Sequence, residues 1–215
     1  VVSADPATLF RAYERMGFRL TPVSRHSGAL HPGQKPVPWG TGNRCAMFRS
    51  GYLELLAILD TSMPCGVFPR LLQQYTGLHI IAFGCDHLDE MQGRLASRGL
   101  SVLGVAALER DLETQDGTRT AKFGLLRMDD AETPEARFNL ITHYTPEFLW
   151  QPHLLNHPNG AVSLAEVIAC VDDLPASVAR YERILGIPPA PAGPVRRFQL
   201  SHGAFSLVDR TGLTE

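Results

Sequence analysis

One phrase recurs three times along this chain: an apolar run, a polar break, an amphipathic helix and a glycine. Pro6 and Gly17, Leu88 and Gly99, and Pro175 and Gly186 stand eleven positions apart in each case. In the first copy Asp5 supplies an N-cap and Pro6 the first helical position, and Leu9, Tyr13 and Met16 follow at helical spacing. The second copy places LHIIAFGC (78–85) before a helix at 88–98, and the third places AEVIACV before Asp172, Asp173 and a helix at 174–185. The first and third share Tyr-Glu-Arg ahead of the glycine, at Tyr13 and Tyr181. Such units bury their apolar faces on one another, so the repeat governs the fold.

Strands follow each helix. After the first, the spacing predicts a strand at 18–21 and a long irregular loop at 22–40, which holds four prolines, three glycines, His26 and His31. A hairpin follows, with strands at 44–49 and 52–58 around a Ser50-Gly51 turn. After the second helix, strands are expected at 108–114, 121–128 and 138–144, with an acidic hairpin loop at 129–135. After the third they are expected at 197–201 and 204–209, where residues 202–208 align on 50–56. The unit is therefore βαβββ. Residues 1–147 hold modules one and two, the Pro-, His- and Asn-rich stretch 148–161 is a linker, and 162–215 form a third, incomplete module.

Glu54 is the anomaly of the hairpin. It sits among Leu53, Leu55, Leu56, Ala57 and Ile58, where an ionised carboxylate is expensive unless paired. It either meets a metal ion or a buried cation, or faces solvent from an edge strand, since alternate strand side chains point to opposite faces.

At 215 residues, 44% hydrophobic and 20% charged, the chain is an ordinary globular protein. A net charge of −2 without a basic stripe argues against nucleic acid or membrane as partner. No apolar run reaches a membrane span and no signal peptide is visible. Cys45, Cys65, Cys85 and Cys170 are scattered, form no CxxC, and read as thiols of a reduced, cytoplasmic protein. The strand-like Val1-Val2 and the unfinished last residues lead us to expect further chain at both ends.

A tandem βαβββ repeat with a Glu on the last strand of one unit and a His on the first strand of the next resembles the vicinal oxygen chelate superfamily. Within it, Arg25 and His26, the segment from Trp39 through Asn43 to Arg44, and the Tyr-Leu-Glu-Leu-Leu strand at 52–56 resemble the glyoxalase-like domain family. The resemblance implies an α+β fold of tandem modules whose curled mixed sheets form a cleft. It implies a divalent metal (zinc, manganese, nickel or iron) on the cleft floor and no organic cofactor. The ligands would be Glu54, His79 and His143 (or Asn139), with one more first-strand ligand expected ahead of residue 1. Glu54 and His26 are the candidate catalytic groups. Arg44, Asn43, Trp39 and Arg25 are the candidate substrate-binding ones. His79 could equally be a strand histidine satisfied by a backbone carbonyl, and Arg44 could simply tie down the glycine-rich turn. His153 and His157 have HxxxH spacing, but on a Pro/Asn-rich segment they are discounted as ligands.

In module three Glu166 stands at the first-strand position and Ser206 replaces Glu54, so that module reads as structural, with room for a homodimer. Three functions follow from the resemblance. The first is a metal-dependent lyase, isomerase or dioxygenase acting on a small oxygenated metabolite. The second is a metal-free protein that binds or sequesters a small molecule, of bleomycin-resistance type. The third is a scaffold.

Overall fold

The structure, a computed structural model, describes residues 1–29, 34–190 and 193–214. His31 lies outside them. Module one runs β1 (Val2–Ser3), α1 (Pro6–Arg15), β2 (Ser24–Gly28), β3 (Val37–Met47) and β4 (Tyr52–Ile58). A short helix, α2 (Phe68–Leu72), lies in the connection to module two. Module two is β5 (Ile80–Gly84), α3 (Leu88–Ser97), β6 (Val102–Thr114), β7 (Gly117–Met128) and β8 (Arg137–His143). After two 3₁₀ turns come β9 (Glu166–Cys170), α4 (Leu174–Leu185), β10 (Val195–Gln199) and β11 (Ala204–Val208).

The sheet orders are β1-β4-β3-β2, β5-β8-β7-β6 and β10-β11-β9. In each sheet the module's first strand runs parallel to its last, and the remaining neighbours are antiparallel. Among the described residues the third sheet has three strands where the others have four.

Local chemistry explains the repeated helix. The Asp5 and Asp173 carboxylates each accept a backbone N–H three residues on, both at 2.9 Å, and each is followed by proline in the first turn. α3 has no such side-chain cap but carries Asp89 and Glu90 in its first turn, where the helix dipole favours negative charge. The three stop glycines, Gly17, Gly99 and Gly186, adopt φ of +83°, +72° and +72°, a region where an L side chain is strained.

Alternation on β4 sorts its side chains. Leu55 and Ala57 pack under Leu9 and Phe10 of α1, while Tyr52, Glu54, Leu56 and Ile58 face the other way. That second face is covered by module two. The modules meet at two sheet edges, through a Val2–Gly77 bridge beside β5 and through β2 against β6, where Arg110 Nη1 donates to Ser27 O at 3.2 Å. The two sheets therefore wrap a shared interior. Part of it is filled by Phe68 and Leu71 of α2, which pack with Val2, Leu56, Ile58 and Ile80.

Modules two and three share a single core in which Leu95, Leu126 and Phe138 meet Tyr181, Phe198 and Phe205. Within it the Glu135 carboxylate accepts from Ser177 Oγ and Tyr181 OH, both at 3.0 Å, and from Arg180. The segment before β9 returns to module one. Trp150 Nε1 donates to Phe48 O at 2.9 Å. His157 Nδ1 accepts the Arg19 N–H at 3.0 Å, so its proton sits on Nε2 and is donated to Met47 O at 2.9 Å. His157 is thus a satisfied structural residue.

The structure differs from the sequence expectation in several strands. The expected loop at 22–40 contains β2 and the start of β3, because Pro38 pairs with Ser27 where β3 has no neighbour on its other side and needs no N–H there. The expected strand at 18–21 reduces to a Leu20–Ala46 bridge. β6 starts at Val102, six residues ahead of the expected 108.

Candidate functional site

Glu54 projects from β4 into the interior wrapped by modules one and two. Its cross-strand neighbour on β3 is Cys45, and Asn43, two residues along the same face, donates Nδ2–H to Glu54 Oε1. Thr41 continues this row of β3 and shares a 2.9 Å hydrogen bond with His26 Nδ1 of β2. Arg110 completes the set from β6 of module two. Its Nη1 donates to Glu109 O at 2.7 Å as well as to Ser27 O, one residue from His26.

Glu54 keeps some solvent exposure, yet protein surrounds it closely. Burial raises its pKa, partly offset by the Asn43 hydrogen bond and by Arg110. Burial also lifts the Cys45 thiol and the Tyr52 phenol well above their ordinary values, and Glu54 adds to both. His26 is lowered to about 4, by burial first and by Arg110 second. It is a neutral imidazole at pH 7.

A second neighbourhood adjoins through Tyr52. Its hydroxyl lies 3.3 Å from His143 Nε2, and the His143 ring meets Trp150, Phe123 and Tyr52 edge-on at 5.0, 5.4 and 5.7 Å. Burial lowers His143 to about 4. The interior thus joins a polar end (Glu54, Asn43, His26, Thr41, Arg110) to an aromatic end.

Of the residues singled out from sequence, Glu54, Asn43, His26 and His143 share this interior. Trp39 stands at its rim, donating Nε1–H to Gly28 O at 3.1 Å. Its ring lies so close to Gly66, at φ +56°, that an added Cβ there would come within 2.6 Å of it.

Three residues correct the expectation. Arg44 faces α1 instead of the cleft: Nε donates to Thr21 O at 2.7 Å, Nη1 pairs with Glu14 at 2.6 Å, and the guanidinium covers the Phe10 ring. Interior positions on β3 are odd-numbered, and Arg44 is even. Arg25 of β2 pairs with the even-numbered Gly42, so it shares that outward face, and it is exposed. His79 is buried with its Nε2 2.7 Å from Tyr75 O and its ring stacked on Tyr75 at 3.9 Å. On β5 the even residues Ile80 and Ala82 share the face of Asn139, Ile141 and His143, so an odd residue faces away. One position reverses a strand side chain.

Sequence reading passed over Arg110, Cys45 and Thr41. Alternation gives the signal for Arg110, because it shares a face of β6 with Leu108, whose partner on β7 is Phe123. Asn139 takes the place in module two that Glu54 has in module one, and its Oδ1 is buried without a partner among the described residues.

The described side chains around Glu54 do not by themselves make up a divalent-metal ligand set. Among the described residues no three of His, Cys, Asp and Glu converge as a site would require. Around Glu54 stand an amide, a thiol of raised pKa and a guanidinium. Two surface concavities lie elsewhere: about 370 Å³ beside α4 and Arg196, and about 390 Å³ between Arg49–Ser50 and the Ser201–Gly203 turn. We place the site on the enclosed polar groups instead, because both concavities lack buried titratable side chains.

No curated protein matches this sequence. Among solved structures, a hypothetical protein from Staphylococcus aureus superposes with a TM-score of 0.64 at 16% identity, covering 86% of this chain and 77% of that one. A mutant 4-hydroxymandelate synthase from Streptomyces coelicolor gives 0.53 at 15% identity, over 96% of this chain and 60% of that one. At such identities they share the fold alone, the vicinal oxygen chelate arrangement of βαβββ modules. The sequence itself matches the family model described as a glyoxalase-like domain over residues 1–185, spanning both cleft-forming modules and reaching the end of α4. On that match, and on the module architecture beneath it, the chain belongs to the glyoxalase-like domain family.

Proposed function

We propose that the interior between modules one and two binds a small molecule without a resident metal, and that Glu54 is the group that addresses it. One observation carries this reading. Glu54 is a desolvated carboxylate bonded to an amide and under the electrostatic influence of a cation from the opposing module, in place of further metal ligands. The Tyr52, Phe123, His143 and Trp150 rings provide an apolar wall of the kind small-molecule sites use. A carboxylate whose pKa burial has raised can also accept or return a proton on a bound molecule.

The second reading is a metal-dependent lyase, isomerase or dioxygenase acting on a small oxygenated metabolite. The position of Glu54 on the last strand of module one, facing the cleft, favours it. Metal analysis of the purified protein, with and without added zinc or manganese, separates the two. We expect substoichiometric metal in the wild type and no change in Glu54→Gln. Glu54→Gln should also be more stable at pH 7 by on the order of 1 kcal/mol, since it removes a desolvated charge. One divalent ion per chain, lost in Glu54→Gln, would install the metalloenzyme reading in its place.

A further inference from the structure

We infer that the molecule bound in this interior is a small organic anion, and that its carboxylate docks on the Nε–Nη2 edge of Arg110. The inference rests on the small-molecule reading above and adds the chemical class of the ligand.

The hydrogen bonds of Arg110 show which edge is committed. Nη1 gives both of its bonds to backbone carbonyls, Ser27 O at 3.2 Å and Glu109 O at 2.7 Å, which pins the guanidinium across the β2–β6 seam. Nε and Nη2 bond to nothing among the described residues. Nor does any carboxylate there lie within ion-pair distance of Arg110. Arg137, on the same interior face of module two, differs: Asp130 stands 3.8 Å from it. Arg110 is only partly exposed, so an unmatched charge there is costly unless something arrives to match it.

An Nε–Nη2 edge presents two parallel N–H groups at the spacing of two carboxylate oxygens, a bidentate fit that a neutral ester cannot reproduce. Nearby, Glu54 Oε1 is taken by Asn43, while Oε2 has no partner among the described residues. Glu54 and Arg110 influence each other electrostatically without touching. A molecule carrying a carboxylate beside a hydroxyl or amine would span them, with the donor on Glu54 and the acid on Arg110. Its hydrocarbon end would extend towards Tyr52 and Phe123.

Phenyllactate and its methyl ester test this by calorimetric titration of the whole chain, with Trp150 and His143 followed by NMR. We expect the acid to bind and the ester to bind roughly tenfold or more weakly. Arg110→Met should lose a similar factor for the acid and leave the ester unchanged. Arg110→Lys, which keeps the charge but not the bidentate edge, should fall between the two. Equal binding of acid and ester, or undiminished acid binding by Arg110→Met, would overturn the inference and leave the small-molecule reading standing. If neither compound binds and neither Trp150 nor His143 shifts, the small-molecule reading falls and takes the inference with it.

Discussion

Module one and module three place different chemistry at one point of the same scaffold. Each final hairpin turns on a left-handed glycine, Gly51 at φ +79° and Gly203 at φ +87°, and three residues later come Glu54 and Ser206. In module three the acid has moved to the first strand. Ser206 Oγ donates to Glu166, and Arg197 of β10 closes on the same carboxylate at 3.1 Å. The row is self-neutralised; Ser206 itself is buried, but the edge strand β9 beside it lies open, with Ile168 55% exposed. In module one the carboxylate is enclosed by a second module and has no cation in contact among the described residues. A protein seldom leaves a desolvated charge unmatched, because burial costs it several kcal/mol of hydration. The uncovered face is electrostatically complete, and the covered face is left incomplete where a ligand could finish it.

The largest expected effect tests the core under module three and under the module that covers Glu54. Phe205 is 1% exposed and packs against Phe83, Phe138, Tyr181 and Phe198. Phe205→Ala should cost about 3–5 kcal/mol in denaturant unfolding and shift a single transition, because modules two and three share that core. Two transitions, with only one displaced, would break the comparison by separating module three from the rest.

Acid should distinguish the two faces next. His26 and His143 have folded pKa values of about 4, below the unfolded value of about 6.5. Between those pH values the unfolded chain binds protons that the folded chain refuses. Their contribution is therefore fully present above about pH 6.5 and is lost as pH falls towards 4, by about 2–3 kcal/mol for each histidine. Glu54 opposes the trend, since its burial penalty is relieved as it protonates. Stability against pH for His26→Gln with His143→Gln should show a shallower acid slope than wild type. An unchanged slope would mean that the interior is wetter than these residues imply.

The smallest effect belongs to the open face. The Arg197 and Glu166 side chains are 45% and 26% exposed, so Arg197→Ala should cost less than about 1 kcal/mol and less still at high salt. A larger, salt-insensitive loss in thermal unfolding would show that this face is covered in solution.

Much of this molecule is written in short-range sequence. Asp5-Pro6 and Asp173 before Pro175 start two of its helices, Gly17, Gly99 and Gly186 end the three repeated ones, and Ser50-Gly51 turns the hairpin. Each acts within a few residues of itself through capping, dihedral preference or alternation, so one chain read alone is enough. Its apolar sequence neighbours Leu53, Leu55, Leu56, Ala57 and Ile58 also marked Glu54 as out of place. Tertiary structure decided the rest. Whether His79 or Ile80 faces the interior depends on pairing with β8, more than fifty residues away, and a difference of one position reversed the answer. Arg44 turned to Glu14 because α1 packs on its side of the sheet, and Arg110 reached the site because β6 closes on β2, which lies eighty residues earlier. Local periodicity specifies which side chains share a face. Only the long-range pairing of strands determines what that face meets, and the desolvation and charge that make a site arise from that meeting.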